Sequence, residues 1–165
     1  EALPHIPDEN VKLVLVGGGP YETELRACAE RLGVAERVIF TGMQSSDAVA
    51  ALLKQADIFS LASYHFDNQP MTFLEAASSG LPIVYCDERM TEGLTKKNAI
   101  LTDGIEGEDF AKVFTDLFAH PDKLEQLSRG SLRVARQFDS VAMAKKVAAL
   151  YESLIASHEA LGRIV

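Results

Sequence analysis

Two carboxylates stand eight residues apart in the stretch Asp67-Asn-Gln-Pro-Met-Thr-Phe-Leu-Glu75. Asp67 falls in a polar loop, and Glu75 falls on the helix that the loop leads into, expected from about Pro70 to Ser79. Leu74 and the small residues Ala76, Ala77 and Ser78 flank Glu75, so tight helix packing and a half-buried carboxylate are expected. A buried carboxylate needs donors. A ribose diol offers two hydroxyls to Glu75, and a hexose offers the same to Asp67. Between them the helix N-terminus presents free N–H groups and partial positive charge, which suits a diphosphate. The Thr72 hydroxyl can add a further bond. The simpler alternative weighs as much on spacing alone: Asp67 or Asn68 caps the helix, and Glu75 pairs with a nearby arginine. A second candidate is Gly17-Gly18-Gly19-Pro20, which either brings backbone close to a ligand or makes a tight strand-to-helix turn.

The elements that must position these residues follow from apolar periodicity. Val11–Val16 is nearly all apolar, as expected of a strand covered on both faces. Further strands are expected at Arg37–Phe40, Asp57–Leu61, Leu81–Tyr85 and Ala99–Leu101. Helical patterns separate or follow them at Tyr21–Leu32, from Ser45 or Ser46 through Lys54, and at Glu108–His120. Another helix starts at Pro121, and a last one, capped by Asp139 or Ser140, runs to about Ser157. Gly33 and Gly80 are placed as helix stops. This alternation implies a Rossmann-like α/β fold, a parallel sheet with helices on both faces. Ligands of such sheets bind beyond the carboxyl ends of the strands. The site is therefore expected at Gly17–Pro20, Thr41–Met43 and Tyr64–Thr72.

Composition narrows the function classes. A chain of 165 residues, 47% hydrophobic and 24% charged, is sized for one globular domain. A net charge of −8 argues against nucleic-acid binding, which needs a basic face. The Arg129/Arg133/Arg136 series reads as a solvated helix face, with a weaker membrane-surface alternative. No apolar run approaches the roughly 20 residues that span a bilayer, and no signal-like leader opens the chain. A cytoplasmic protein is expected, with peripheral membrane contact through a longer protein left open. Cys28 and Cys86 are read as buried thiols, and the four histidines show no zinc spacing. The opening Glu1–Pro7, without an initiator Met, reads as a processed chain or an excised piece.

The order of four motifs carries a resemblance. They are Lys12-Leu-Val-Leu-Val-Gly-Gly-Gly-Pro20, Val38-Ile-Phe-Thr-Gly42, Ala56-Asp57, and Leu74-Glu-Ala-Ala-Ser-Ser-Gly-Leu-Pro-Ile-Val84. Over about residues 8 to 158 the chain resembles the C-terminal, donor-binding domain of retaining GT-B glycosyltransferases, the group 1 or family 4 set. The resemblance implies that Glu75 binds ribose hydroxyls, and that Asp67, at the family's first E-x7-E position, holds the donor sugar as the catalytic-site carboxylate. It implies that the Met43 backbone meets the base, and that Asn68, Gln69, Met71 and Thr72 line sugar and phosphates beside Gly18 and Gly19. It also implies a uridine diphosphate hexose as substrate, no metal or other cofactor, and an N-terminal acceptor domain of the same protein as partner. Asp67 is one methylene shorter than the family's glutamate. Pro70 lacks an N–H at a position where the family places glycine. The family's opening strand, with its diphosphate-neutralising Arg and Lys, has no counterpart here. Its absence is expected to expose a sheet edge or apolar face near Val11–Val16. A noncatalytic nucleotide-binding module and a nucleotide-sugar epimerase of the same fold are the alternatives.

Overall fold

The computed structural model describes residues 1–65 and 70–161. Five short strands alternate with helices, as the periodicity requires. β1 (Leu13–Val16) pairs in parallel with β2 (Val38–Gly42), with a register slip between Leu15 and Val16. β3 (Phe59–Leu61), β4 (Ile83–Tyr85) and β5 (Ala99–Leu101) form a second parallel ladder in the order β3-β4-β5. The single expected sheet is thus two ladders among the described residues: β1 bonds only to β2, and β3 only to β4. The helices are α1 (Glu22–Arg31), α2 (Ser46–Leu53), α3 (Met71–Ser78), α4 (Gly107–Ala119), α5 (Pro121–Ala135) and α6 (Ser140–Leu161).

Local chemistry explains their ends. The Ala48 amide donates to the Ser45 hydroxyl at 3.3 Å and opens α2, and the Ala142 amide donates to Asp139 at 2.8 Å and opens α6. Glu106 and Asp109 exchange side-chain bonds with each other's backbone, a capping box that starts α4. Pro121 occupies the first turn of α5, where no N–H is required. Left-handed Gly33 and Gly80 follow α1 and α3.

The core is built around β4. Ile83 and Val84 are fully buried, and their side chains point to opposite faces. Ile83 joins Phe73, Ala76 and Ala77 of α3, together with Met90 and Leu94. Val84 joins Phe110 and Leu117 of α4 and Leu127 of α5. Each of these side chains larger than alanine contributes about 1.5–3 kcal/mol by leaving water. Helices therefore cover both faces of this sheet.

β1 departs from the expectation of two-sided cover. Leu13, Val14 and Val16 are exposed, the last by 44%. The cluster of Leu3, Ile6, Ala29, Val34 and Ala111 reaches only Val11 and Val38 at the amino-terminal end of this sheet. Apolar exposure near Val11–Val16 is accordingly present. Cys86 is buried as expected, but Cys28 is only half-buried, because it sits on the outer side of α1 and accepts a bond from Arg31 at 3.3 Å. The α6 helix is exposed from Ser140 to His158, including Leu150, Tyr151, Leu154 and Ile155. No described helix is long and apolar enough to cross a membrane.

α5 docks through Ser131, whose hydroxyl donates to the Leu81 carbonyl at 2.6 Å with both groups buried. On the preceding residue, Gly130, a β-carbon would fall inside the Lys97 carbonyl. Gly130→Ala improves helix propensity by about 1 kcal/mol, yet it forces two backbones apart. The expected net effect is a destabilisation of about 2 kcal/mol. In a domain of this size that lowers the melting temperature by about 4–8 °C, readable by calorimetry.

Candidate functional site

The carboxyl ends of β1 and β2 meet at the glycine turn. Gly17, at φ 122°, donates its N–H to the Gly42 carbonyl at 2.9 Å, a conformation that an L side chain rarely takes. Thr41 ties the same corner by donating to the Leu15 carbonyl at 3.3 Å. A side chain on Gly18 would start 3.7 Å from Met43 Cγ, so Gly18 and Met43 are brought together, and Met43 is 80% exposed. Gly19 has open space where a β-carbon would stand. α1, which follows, carries Glu22 and Glu24 in its first turn. Glu22 is held by Arg26 at 2.7 Å, and the Arg26 guanidinium lies 4.1 Å from the centre of the Phe40 ring. The N-terminal dipole of α1 already faces carboxylates of its own chain, which weakens its attraction for an anion.

α3 differs. Its N-cap is Pro70, extended at φ −63° and ψ 127°, with no side-chain cap and no acid in the first turn. The Phe73 amide donates to the Pro70 carbonyl at 3.0 Å, whereas the Met71 and Thr72 amides have no partner among the described residues. The inward stripe is Phe73, Ala76 and Ala77, all buried. The outward stripe holds Met71, Thr72 and Glu75, all exposed. Glu75 is thus not half-buried as expected, because the core claims the opposite side of a two-turn helix. Nor does it pair with an arginine: among the described residues it forms no ion pair. Asp67, Asn68 and Gln69 lie outside the described residues.

The exit of β4 completes this edge. The Asp87 carboxylate is 1% exposed and accepts four bonds. They come from the His65 amide at 2.7 Å, the Arg89 amide at 3.0 Å, and Arg89 Nε and Nη2 at 3.0 and 2.7 Å. The Arg89 guanidinium holds the Asp87 carboxyl far below the usual carboxylate range, with the two amides adding to it. Beside it the Cys86 thiol donates to the Ser63 carbonyl at 3.8 Å, and burial pushes its pKa up. Tyr64 stacks on His65, with ring centres 4.0 Å apart.

Residues 1–133 match the family described as Glycosyl transferases group 1. The chain belongs to this family. Among its relatives, the alpha-monoglucosyldiacylglycerol synthase of Streptococcus pneumoniae is 40% identical over 77 residues, 47% of this chain and 17% of that protein. The D-inositol 3-phosphate glycosyltransferase of Corynebacterium glutamicum is 27% identical over 165 residues, 94% of this chain and 38% of that protein. A crystal structure of Anabaena Alr3699/HepE in complex with UDP superposes with a TM-score of 0.83 at 24% identity, covering 92% of this chain and 43% of that one. That likeness shows a common fold. The chain spans less than half the length of each of these three proteins.

The structure therefore brings Gly18 and Met43 together at one carboxyl edge, and Met71, Thr72 and Glu75 together on α3. Sequence reasoning passed over Asp87 and Arg89, and gave His65 no role of its own within Tyr64–Thr72. The signal was available: a strand ending at Tyr85 puts Cys86–Met90 at the same edge as the other strand exits, and an Asp-x-Arg there is suited to a salt bridge.

Because the folded Asp87 carboxyl ionises well below its unfolded value of about 3.9, its contribution to stability is fully present above that pH. It declines as pH falls toward the folded value. Asp87→Asn should accordingly be less stable than the parent at neutral pH. The gap should narrow steadily below about pH 4, as measured by denaturant titrations across pH 2–7.

Proposed function

We propose that this chain is the nucleotide-sugar-binding part of a retaining glycosyltransferase of the GT-B type, family 4. In this reading a uridine diphosphate hexose lies along the carboxyl edges of the strands, and an N-terminal domain of the same protein holds the acceptor. One observation carries it: α3 offers, on one stripe, the exposed Thr72 and a Glu75 carboxylate unpaired among the described residues, behind an N-terminus that no described side chain caps. That is the order phosphate then ribose requires. The UDP named with the Anabaena structure supports the choice of nucleotide. The names of the relatives span a glycolipid and an inositol phosphate, and in this reading the other part of the protein selects the acceptor.

In the proposed reaction the acceptor hydroxyl attacks the anomeric carbon from the face that the diphosphate leaves. The diphosphate departs with the electrons of the carbon–oxygen bond, and its oxygen receives the acceptor proton. Glu75 accepts the ribose hydroxyls, Met43 borders the base, and Gly18, Gly19, Asn68, Gln69, Met71 and Thr72 lie along the sugar and phosphates. Asp67 orients the hexose. The partial charge of the α3 N-terminus meets the developing negative charge, and no metal is required.

Glu75→Gln in the full-length protein should weaken nucleotide binding by about 1.5–3 kcal/mol, measured by titration calorimetry. Unchanged affinity would remove Glu75 from the site. Asp67→Asn should lower the transfer rate while free nucleoside diphosphate binds nearly as before. An equal loss in both would reassign Asp67 to the nucleotide.

The 165-residue chain alone should form no product from labelled nucleotide sugars with any acceptor, lipids included. An acceptor held in place supplies much of the rate, and in this reading another domain holds it. Product above a Glu75→Ala control would show that the chain is sufficient.

A further inference from the structure

We propose that Gln44 is a positioning residue for the nucleoside end of this site, acting through the backbone of Met43. The inference rests on the transferase reading above and deepens it. The chain leaves β2 at Gly42 and meets the α2 cap at Ser45, so only Met43 and Gln44 lie between. Both ends of this link are fixed. Behind it, the Gly17 amide donates to the Gly42 carbonyl at 2.9 Å, and the Thr41 hydroxyl donates to the Leu15 carbonyl at 3.3 Å. Ahead of it, the Ala48 amide donates to the Ser45 hydroxyl at 3.3 Å, and the Val49 amide to the Ser45 carbonyl at 2.9 Å. Among the described residues, one bond closes the link itself: Gln44 Nε2 donates to the Thr41 carbonyl at 2.6 Å.

A four-residue turn is ordinarily closed by its last backbone N–H donating to its first carbonyl. Here that carbonyl accepts from a side chain instead. The Met43 N–H, the Met43 carbonyl and the Gln44 N–H have no partner among the described residues. A neighbouring donor and acceptor of this kind suit a base edge that sets an N–H beside a carbonyl, as uracil does. The Met43 side chain leans over Gly18, with Cγ 3.7 Å from where a β-carbon would start. Gln44 is exposed, so water could serve the Thr41 carbonyl without fixing a long side chain. The bond that forms instead removes glutamine rotamer freedom and holds the turn in one shape. Gly42, left-handed at φ 65°, supplies no such restraint, because glycine has many conformations open to it. Gln44 thus sets the direction of the Met43 backbone groups before a base arrives, which lowers the ordering cost of binding.

Titration calorimetry on the full-length protein compares UDP with ribose 5-diphosphate, which lacks the base, for the parent, Gln44→Met and Gln44→Glu. Gln44→Met keeps the length of the side chain and removes its donor. It should weaken UDP by about threefold to tenfold, the range of one hydrogen bond. Ribose 5-diphosphate should weaken by less than about twofold, because it makes no contact at Met43. In transfer from UDP-glucose the loss should appear in KM more than in kcat. The melting temperature should move by less than about 2 °C, since the bond is exposed. Gln44→Glu should match Gln44→Met at neutral pH, because a carboxylate has no proton to donate. It should regain UDP affinity relative to Gln44→Met as pH falls toward the ordinary glutamate value of about 4.3, where the protonated acid can donate to Thr41 again. Unchanged UDP affinity in Gln44→Met overturns the proposal. So does an equal loss of UDP and ribose 5-diphosphate, which marks damage away from the base, or a Gln44→Glu that tracks Gln44→Met at every pH. A parent that binds both ligands equally removes the base from this corner, and the nucleotide reading and the proposal then fall together. A parent that prefers UDP confines any failure to Gln44.

Discussion

Burial of β4 on both faces is the constraint on which the rest of the structure depends. Ile83 and Val84 have no solvent exposure, so a helix must cover each side. α3 takes one face with Phe73, Ala76 and Ala77, and α4 with α5 takes the other. α5 can approach closely only because Gly130 lacks a side chain and Ser131 satisfies the Leu81 carbonyl. A buried carbonyl without that hydroxyl would carry its full desolvation cost. The same burial fixes where β4 ends, and therefore where Asp87 stands.

The position of α3 has a second consequence. A two-turn helix with one side sealed in the core must present its remaining side outward. Met71, Thr72 and Glu75 have no alternative direction. The helix begins after a proline with no acid in its first turn, so its Met71 and Thr72 amides have no partner among the described residues. α1 also lacks a side-chain cap, but it carries Glu22 and Glu24 in its first turn. Two helices that both follow strand ends thus differ in what they can attract, and the difference is one of first-turn charge.

The half of the molecule around β1 and β2 is built more openly. Packing reaches Val11 and Val38 but leaves Leu13, Val14 and Val16 in contact with solvent. α6 likewise carries Leu150, Tyr151, Leu154 and Ile155 unburied.

Most elements were legible in the sequence, because strand and helix periods, caps and stops are set by neighbours along the chain. The β5 span was read without error, the caps were narrowed to Ser45 or Ser46 and to Asp139 or Ser140, of which Ser45 and Asp139 act, and Gly33 and Gly80 were read as stops. The grouping of candidate residues at strand exits followed from parallel topology. Exposure was not legible. The small residues beside Glu75 suggested burial, yet those residues themselves fill the core and turn Glu75 outward. The apolar run of β1 suggested cover that the described residues do not supply. Nor was the bond from the His65 amide to Asp87 legible, since the two residues are 22 positions apart and meet only because β3 and β4 are adjacent. The sequence by itself determined which segments are strands and helices and which of their ends could hold a ligand. Tertiary structure alone decided which faces meet and which polar groups are paired, because burial and long-range hydrogen bonds depend on what each surface finds opposite it.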